Sequence, residues 1–214
     1  MKSDNLTDNK QHKSIRKPVQ KRSIRTKEKI LNTAYELFCE KGYYKTTTNE
    51  IAQKAGVSIG SLYSYFKDKD VIFFEILGIY HQKFLGLNLE LKDNDELLKN
   101  DVKKWLRIII EKQIEIHEES KEFNRELNVL SFYNPKIEAL LIQNKKETMN
   151  STIGSFVDIK DFFGIVDIEA FITIVYDLIS STVDRIVFGK NEIDKERLIN
   201  TTIDMIYRYL LSNK

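Results

Sequence analysis

Residues 42–69 contain two helix starts separated by a glycine-containing break, and this stretch limits the possible fold more than any other. Thr47 and Glu50 have the Thr-x-x-Glu spacing of a capping box, which opens a helix. The run Ala55-Gly56-Val57 interrupts that helix, because glycine readily adopts the positive φ of a tight turn. Ser58 then provides an N-cap for a second short helix. The pattern predicts a helix-turn-helix, a motif that sets its second helix in a DNA major groove.

A set of short sequence matches extends this prediction over residues 26–72. They are Phe38-x-x-x-Gly42-Tyr43, Thr46-Thr47, Glu50-Ile51-Ala52, Ala55-Gly56-Val57-Ser58, Gly60-x-Leu62-Tyr63-x-Tyr65-Phe66 and Lys69. In these residues the chain resembles the DNA-binding domain of the TetR (tetracycline-repressor-like) family of bacterial transcription regulators. The resemblance implies an all-α protein, with an N-terminal three-helix DNA-binding head and a C-terminal helical ligand-binding and dimerisation domain. We therefore expect a disordered basic arm over residues 1–25, a helix-turn-helix domain over 26–72, and an effector-binding and dimerisation domain over 73–214.

The resemblance also assigns candidate DNA contacts. At the start of the second helix, which abuts the DNA backbone in the family, they are Thr47, Thr48 and Asn49. On or near the exposed side of the recognition helix they are Ser58, Ile59, Gly60, Ser61, Tyr63, Ser64 and Tyr65. Ile59 has no hydrogen-bonding group, so it can offer base edges only apolar contact, for example with a thymine methyl.

Lys69 is the remaining candidate DNA contact. Asp68 is expected to be the N-cap of the next helix, which puts Lys69 in its first turn. A cation there opposes the helix dipole, and a phosphate against the same helix end would offset that cost. The alternative is an ordinary surface lysine beside Asp70.

Charge is distributed unevenly along the chain. The net charge of +2 combines about +7 over residues 1–29, zero over 30–70 and about −5 over 71–214. This asymmetry indicates a polyanionic partner for the N-terminal part only. The basic arm either reaches DNA phosphates or a minor groove, or is a solvated tail that aids solubility.

The remaining sequence favours helices throughout. Only two prolines interrupt it, and alternating apolar runs are scarce. Helices are expected over 26–42, 68–91, 95–120, 121–132, from Pro135 through Ile153, over 168–188 and from Asp194 onward. No apolar run reaches the roughly 18 residues of a membrane span. The polar N-terminus lacks an apolar signal region, and Cys39 is the single cysteine, so we expect a cytoplasmic protein without a disulfide.

The last two helices are predicted to form a dimer interface. The first of them is apolar almost all round, which indicates burial on more than one side. The candidate interface residues are Val175, Ile179, Val183, Ile199, Ile203, Ile206 and Leu210. A two-fold homodimer would match a near-palindromic site on double-stranded DNA. The alternative is that this helical hairpin only closes a monomeric core.

A pocket for a small apolar or aromatic effector is predicted from aromatic-rich helices. The candidate lining residues are Tyr80, Phe84, Trp105, Ile109, Phe123, Phe132, Tyr133 and Phe171. Ligand pockets are mainly apolar with a few polar anchors. Aromatic residues at helical spacing also occur as plain core, which is the alternative.

No pattern in the chain predicts an enzyme, a cofactor or a metal site. Phosphate-binding glycine loops are absent, and His12, His81 and His117 lack the spacing of metal ligands. His117 lies among Glu115, Glu118 and Glu119, which favours a solvated helix face. The leading hypothesis is a homodimeric repressor that an effector releases from its operator. The alternatives are a ligand-independent architectural or assembly DNA-binding protein, and an enzyme with a carboxylate–histidine site near His81 and His117.

Overall fold

The structure is a computed structural model that describes residues 21–92, 95–156, 160–190 and 192–212. Within these ranges the chain forms ten α-helices and no strand, so the all-α prediction is confirmed. The chain divides into two compact units between Ile76 and Leu77. This division lies within one helix, as does the boundary predicted at residue 72.

The first unit is a small helical domain built on aromatic packing. It contains α1 (Lys21–Lys41), α2 (Thr48–Lys54), α3 (Ile59–Tyr65) and the first two turns of α4 (Lys69–Lys92). The α2 helix packs against both α1 and α3. Side chains from all four helices are fully buried at its centre, among them Ile30, Phe38, Ile51, Leu62, Phe66 and Phe73. This core holds α2 and α3 in a helix-turn-helix.

The second unit is a larger helical bundle. It contains the rest of α4 and six further helices: α5 (Asp95–Asn100), α6 (Val102–Glu119), α7 (Lys121–Tyr133), α8 (Pro135–Phe156), α9 (Ile168–Phe188) and α10 (Lys195–Ser212). The α6, α9 and α10 helices pack against one another, and α8 packs against α7 and α9. One apolar core runs through the unit. None of the helices in the described ranges combines the length and apolar character that crossing a bilayer requires.

The first helix begins earlier than the sequence predicted. The expected N-cap, Thr26, lies inside α1, where its hydroxyl donates to the carbonyl oxygen of Arg22 at 2.9 Å. Lysine and arginine are good helix formers, so residues 21–25 extend the helix. The prediction of a disordered arm is therefore wrong for these five residues. The rest of that prediction, residues 1–20, lies outside the described residues.

The helix predicted over 95–120 is two helices. Asp101 separates them, and its carboxylate accepts a hydrogen bond from the Lys104 amide at 3.0 Å, as an N-cap does. Leu98, Val102 and Trp105 are all buried in the same core. Because the apolar spacing continues across the break, periodicity could not reveal it.

Most of the residues predicted to form a dimer interface are covered by their own chain. Only Val175 is partly accessible, whereas the others are in the core: Ile179, Val183, Ile199, Ile203, Ile206 and Leu210. Helical periodicity identified their shared face correctly, but that face packs inward. The exposed sides of α9 and α10 carry other large side chains, Ile174, Met205 and Tyr209.

Candidate nucleic-acid interface and ligand cavity

The start of α2 is fixed by a complete capping box, as predicted. The Thr47 hydroxyl accepts from the Glu50 amide at 3.2 Å, and the Glu50 carboxylate accepts from the Thr47 amide at 3.0 Å. A hydrogen bond from the Lys41 ammonium, helped by those from Thr47, lowers the pKa of Glu50 to about 2. The Thr47 hydroxyl is thus engaged within the box. Thr48 is half-buried and Asn49 is exposed at the same helix end.

The turn between α2 and α3 depends on Gly56. Its φ of 62° lies in the left-handed region that side chains disfavour. The Gly56 amide donates to the Gln53 carbonyl, and the Val57 amide donates to the Ala52 carbonyl, each at 3.0 Å. These bonds end α2, and the chain continues directly to Ser58, the N-cap of α3.

The α3 helix presents a narrow polar face to solvent. The Ser58 hydroxyl caps it by accepting from the Ser61 amide at 3.1 Å, while Leu62 is fully buried. The exposed residues are Ser58, Ile59, Gly60, Tyr63 and Ser64, with Ser61 half-buried. The Tyr63 and Thr48 hydroxyls share a hydrogen bond of 3.0 Å, which links α3 to the start of α2. Seven of the eleven predicted DNA contacts are therefore exposed: these five together with Thr47 and Asn49.

Tyr65 differs from Tyr63, although the sequence analysis names both as candidate DNA contacts. It is half-buried, and its hydroxyl shares a hydrogen bond of 2.9 Å with Ser23 on α1. This bond engages the hydroxyl with α1. Tyr65 therefore serves packing within the unit rather than an open surface.

Lys69 is held by the protein itself. Its ammonium donates to the carbonyl oxygens of Tyr43 and Thr46 at 2.7 and 2.8 Å, and it lies 4.1 Å from the centre of the Tyr43 ring. Partial burial lowers the pKa of Lys69. These two carbonyl oxygens help to offset the unfavourable position of Lys69 in the helix dipole, and its predicted contact with a phosphate stays a prediction. Sequence reasoning missed these contacts, because Tyr43 and Lys69 are far apart in the chain.

Tyr43 also contacts other residues near the start of α4. Its hydroxyl donates to the Asp70 carboxylate, and burial together with this bond raises the pKa of Tyr43. The ring packs edge-on against Phe73 with centroids 5.2 Å apart. Lys69, Tyr43 and Asp70 therefore fix the loop before α2 against the start of α4.

The second unit contains a cavity of about 370 Å³. Four predicted pocket residues line it: Tyr80, Phe84, Trp105 and Ile109. The other walls come from α4, α6, α7, α8 and α9, with apolar side chains such as Leu77, Leu87, Ile172, Ile179 and Phe188. The volume falls in the range of small-molecule sites.

The four other predicted pocket residues do not line this cavity. Phe132 and Tyr133 are 86% and 76% exposed, because the end of α7 turns them to solvent. Phe171 stacks on Tyr209 with ring centroids 5.2 Å apart. Phe123 is fully buried behind Tyr80, with which it makes an edge contact at 5.9 Å. These assignments were wrong because aromatic spacing does not reveal which way a helix faces.

Polar residues that the pocket prediction did not include also line the cavity. His81 lies 3.2 Å from Glu147, and Lys145 is paired with Asp177 at 2.9 Å. His117, predicted on a solvated face, instead points into the cavity opposite Asp184. Burial lowers the pKa of His117 and raises that of Asp184. The inward orientation of His117 was not predicted, because the neighbouring glutamates in the sequence indicated a solvated helix face.

A capped helix, a glycine turn and a second capped helix with an exposed polar face define a helix-turn-helix DNA-binding domain. Residues 30–76 match the family described as bacterial regulatory proteins, tetR family. Over 58 residues the chain is 48% identical to the HTH-type transcriptional regulator QacR of Staphylococcus aureus, a match that covers 27% of this chain and 31% of QacR. Residues 30–76 are therefore a helix-turn-helix DNA-binding domain of the tetR family type.

Solved structures are similar over nearly the whole chain. The regulator FadR of Bacillus subtilis, in complex with stearoyl-CoA, has a TM-score of 0.61 and 20% identity, covering 87% of this chain and 98% of FadR. PfmR of Thermus thermophilus has a TM-score of 0.59 and 22% identity, covering 84% and 97%. At this identity the likeness concerns the fold. By sequence, the chain spans between 27% and 57% of the length of the curated relatives that it matches.

Proposed function

We propose that this protein is a homodimeric transcription repressor that binds a near-palindromic operator and is released by a small apolar or aromatic effector. The observation that carries the proposal is the exposed face of α3. Buried Leu62 anchors the opposite side of this helix in the core, and the Tyr63–Thr48 hydrogen bond links the helix to the start of α2. A rigid helix with short side chains can enter a major groove closely. The match of residues 30–76 to the tetR family supports the same role.

Contacts to the DNA backbone would come from the hydroxyl-bearing residues. Tyr63, Thr48 and Asn49 offer polar groups at the junction of α2 and α3, where phosphates are bound in helix-turn-helix complexes. Ser58, Ser61 and Ser64 offer small hydroxyls to base edges or phosphates. Ile59 is 38% exposed and would contact a thymine methyl.

The dimer would use the outward sides of α9 and α10. Ile174, Met205 and Tyr209 are 66%, 57% and 48% exposed, and they lie on two helices that pack against each other. A two-fold interface there would pair each patch with its own copy. Dimerisation doubles the number of DNA contacts and selects an inverted repeat.

The cavity around Trp105 favours an effector-responsive regulator over a ligand-independent architectural protein. Leu77, Tyr80, His81 and Phe84 line it from α4, and the same helix begins in the DNA-binding unit. An effector would act through unequal affinity for the DNA-bound and free forms of the dimer. The stearoyl-CoA bound by B. subtilis FadR supports a cavity of this kind as the effector site.

Binding to fragments of the source genome at two salt concentrations tests the proposal. We expect a few fragments to be retained at the higher salt and to share an inverted repeat, because base contacts survive when phosphate contacts are screened. Each retained fragment should bind two chains. Uniform binding that disappears at the higher salt would refute a site-specific regulator.

A further inference from the structure

His117 and Asp184 face each other across part of the cavity without meeting. His117 Nδ1 lies 3.9 Å from Asp184 Oδ1, which is beyond hydrogen-bond range. Among the described residues, Nδ1 has no hydrogen-bond partner, although solvent does not reach it. A shielded polar atom without a partner is costly, and such atoms in native proteins often mark a place that something else occupies.

The protonation states make this pair an acceptor site. Burial lowers the pKa of His117, so its ring is neutral at pH 7. Nδ1 then accepts a hydrogen bond in the tautomer that carries its proton on Nε2. The Asp184 carboxyl is more than half exposed, and burial of the remainder raises its pKa from an ordinary value near 4. In its ionised form this carboxylate accepts hydrogen bonds and carries a negative charge.

The other charged residues of the cavity do not neutralise Asp184. Lys145 is paired with Asp177 at 2.9 Å and lies over the Tyr176 ring. His81 is paired with Glu147 at 3.2 Å. In the ion pairs of the described residues, Asp184 has only the neutral His117 beside it. The cavity wall therefore has an excess of negative charge at this point.

Aromatic rings surround the same point. Phe84 and Phe188 contact the His117 ring with centroid distances of 5.4 and 6.0 Å, and both also line the cavity. Aromatic faces attract cations and accept apolar groups equally well. A ligand with a positive charge and an apolar body would thus find partners for both parts.

We propose that the effector is an amine, with a protonated nitrogen seated between Asp184 and His117 and an apolar or aromatic body against Trp105 and Ile109. The nitrogen donates one hydrogen bond to the carboxylate and one to Nδ1. This assignment rests on the proposed function, since it names the ligand class of the effector cavity.

Three probes of equal size test this assignment: 4-phenylbutylamine, 4-phenylbutanol and 4-phenylbutyrate. Trp105 is the single tryptophan and lines the cavity, so its fluorescence reports binding directly. We expect the amine to bind at least about tenfold more tightly than the alcohol, the size of effect typical of a charge-assisted hydrogen bond, and the carboxylate to bind most weakly. In Asp184→Asn the preference for the amine should fall below about twofold, with alcohol binding unchanged.

Glu111→Gln is the matched control, because it removes one carboxylate from α6 that pairs with Arg107 outside the cavity lining. The Glu111→Gln variant should keep the full preference for the amine over the alcohol. Equal binding of amine and alcohol, tighter binding of the carboxylate, or no binding of the amine would each overturn the assignment. Retention of inverted-repeat DNA is measured separately, so a failure of the amine preference is distinguishable from a failure of the regulator proposal.

Discussion

Two tyrosines on the recognition helix illustrate how position decides a residue's role. Tyr63 and Tyr65 are two residues apart, so they point to nearly opposite sides of a helix. Tyr63 is 48% exposed beside Thr48, whereas Tyr65 is bonded to Ser23 within the unit. The Tyr63 hydroxyl lies on the exposed side of α3, where DNA could approach it, whereas the Tyr65 hydroxyl is bonded to α1.

Replacing Tyr63 by Phe should therefore weaken operator binding and change stability little, because the hydrogen bond that its hydroxyl shares with Thr48 is exposed to solvent. Loss of one phosphate hydrogen bond costs about 1 kcal/mol, or about fivefold in affinity. The matched variant Tyr65→Phe should leave affinity within about twofold and lower the melting temperature slightly, because it breaks the bond to Ser23. Fluorescence anisotropy with an operator duplex and a thermal melt measure the two effects. Equal affinity losses would contradict the division of roles.

Lys69→Ala should act through the fold rather than through a phosphate. The variant loses two hydrogen bonds to carbonyl oxygens, and at this half-exposed site we expect a loss of about 1 kcal/mol in the free energy of unfolding. The dependence of DNA affinity on salt should keep its slope, whereas loss of a phosphate contact would reduce that slope by about one. Lys67→Ala, an exposed neighbour, is the control for charge. A reduced slope with unchanged stability would restore the phosphate assignment.

At the scale of the element, the helix-turn-helix depends on two glycines in different ways. Gly56 has positive φ, and a Cβ there would also lie 3.3 Å from Lys29 Nζ. Gly60 is helical, and a Cβ there would meet nothing within 4 Å. One glycine is required by the backbone, and the other leaves room on the face proposed to meet DNA.

Alanine at these two positions should have opposite effects on stability. Gly56→Ala should lower the free energy of unfolding by about 1 kcal/mol, because it forces an L-residue into the left-handed region. Gly60→Ala should raise it by up to about 1 kcal/mol, because alanine is the better helix former. Denaturant unfolding measures both. If Gly60→Ala also weakens operator binding despite greater stability, the added methyl group blocks close approach to the groove; unchanged affinity would argue against that close approach.

At the scale of the whole molecule, burial determines which surfaces remain for a second copy. The inward faces of α9 and α10 are used by the core of the second unit. Ile174, Met205 and Tyr209 remain outside that core. Placing a charge on this outer patch should disturb assembly without disturbing folding, since the side chains are exposed in the single chain.

Met205→Glu should shift the protein from dimer to monomer and weaken operator binding by more than about tenfold, because one half-site is lost. Sedimentation velocity gives the mass, and circular dichroism should be unchanged. Ile142→Glu on α8 is the matched control, because Ile142 is 63% exposed but lies on another helix. A dimer that survives Met205→Glu, or that dissociates with Ile142→Glu, would locate the interface elsewhere.

Local signals in the sequence were sufficient for the helix-turn-helix. The Thr47–Glu50 box, the Gly56 turn and the Ser58 cap each involve groups within four residues of one another, and the structure contains all three. Buried stripes such as Ile30 to Phe38 were also predictable, because apolar spacing of three and four marks one helix face. The family could be recognised from the same short segment.

The tertiary structure alone decided what each face meets. The Lys69 ammonium donates to the Tyr43 and Thr46 carbonyls, and the His117 side chain faces the cavity. Both arrangements depend on residues that are distant in the chain. Apolar spacing assigned one face of α9 and α10 to a partner chain, but that face packs into the core of the same chain. The sequence thus determined where helices begin, end and carry apolar faces, since those depend on neighbours within a turn or two. It could not determine orientation, because burial depends on which distant helices compete for the same face.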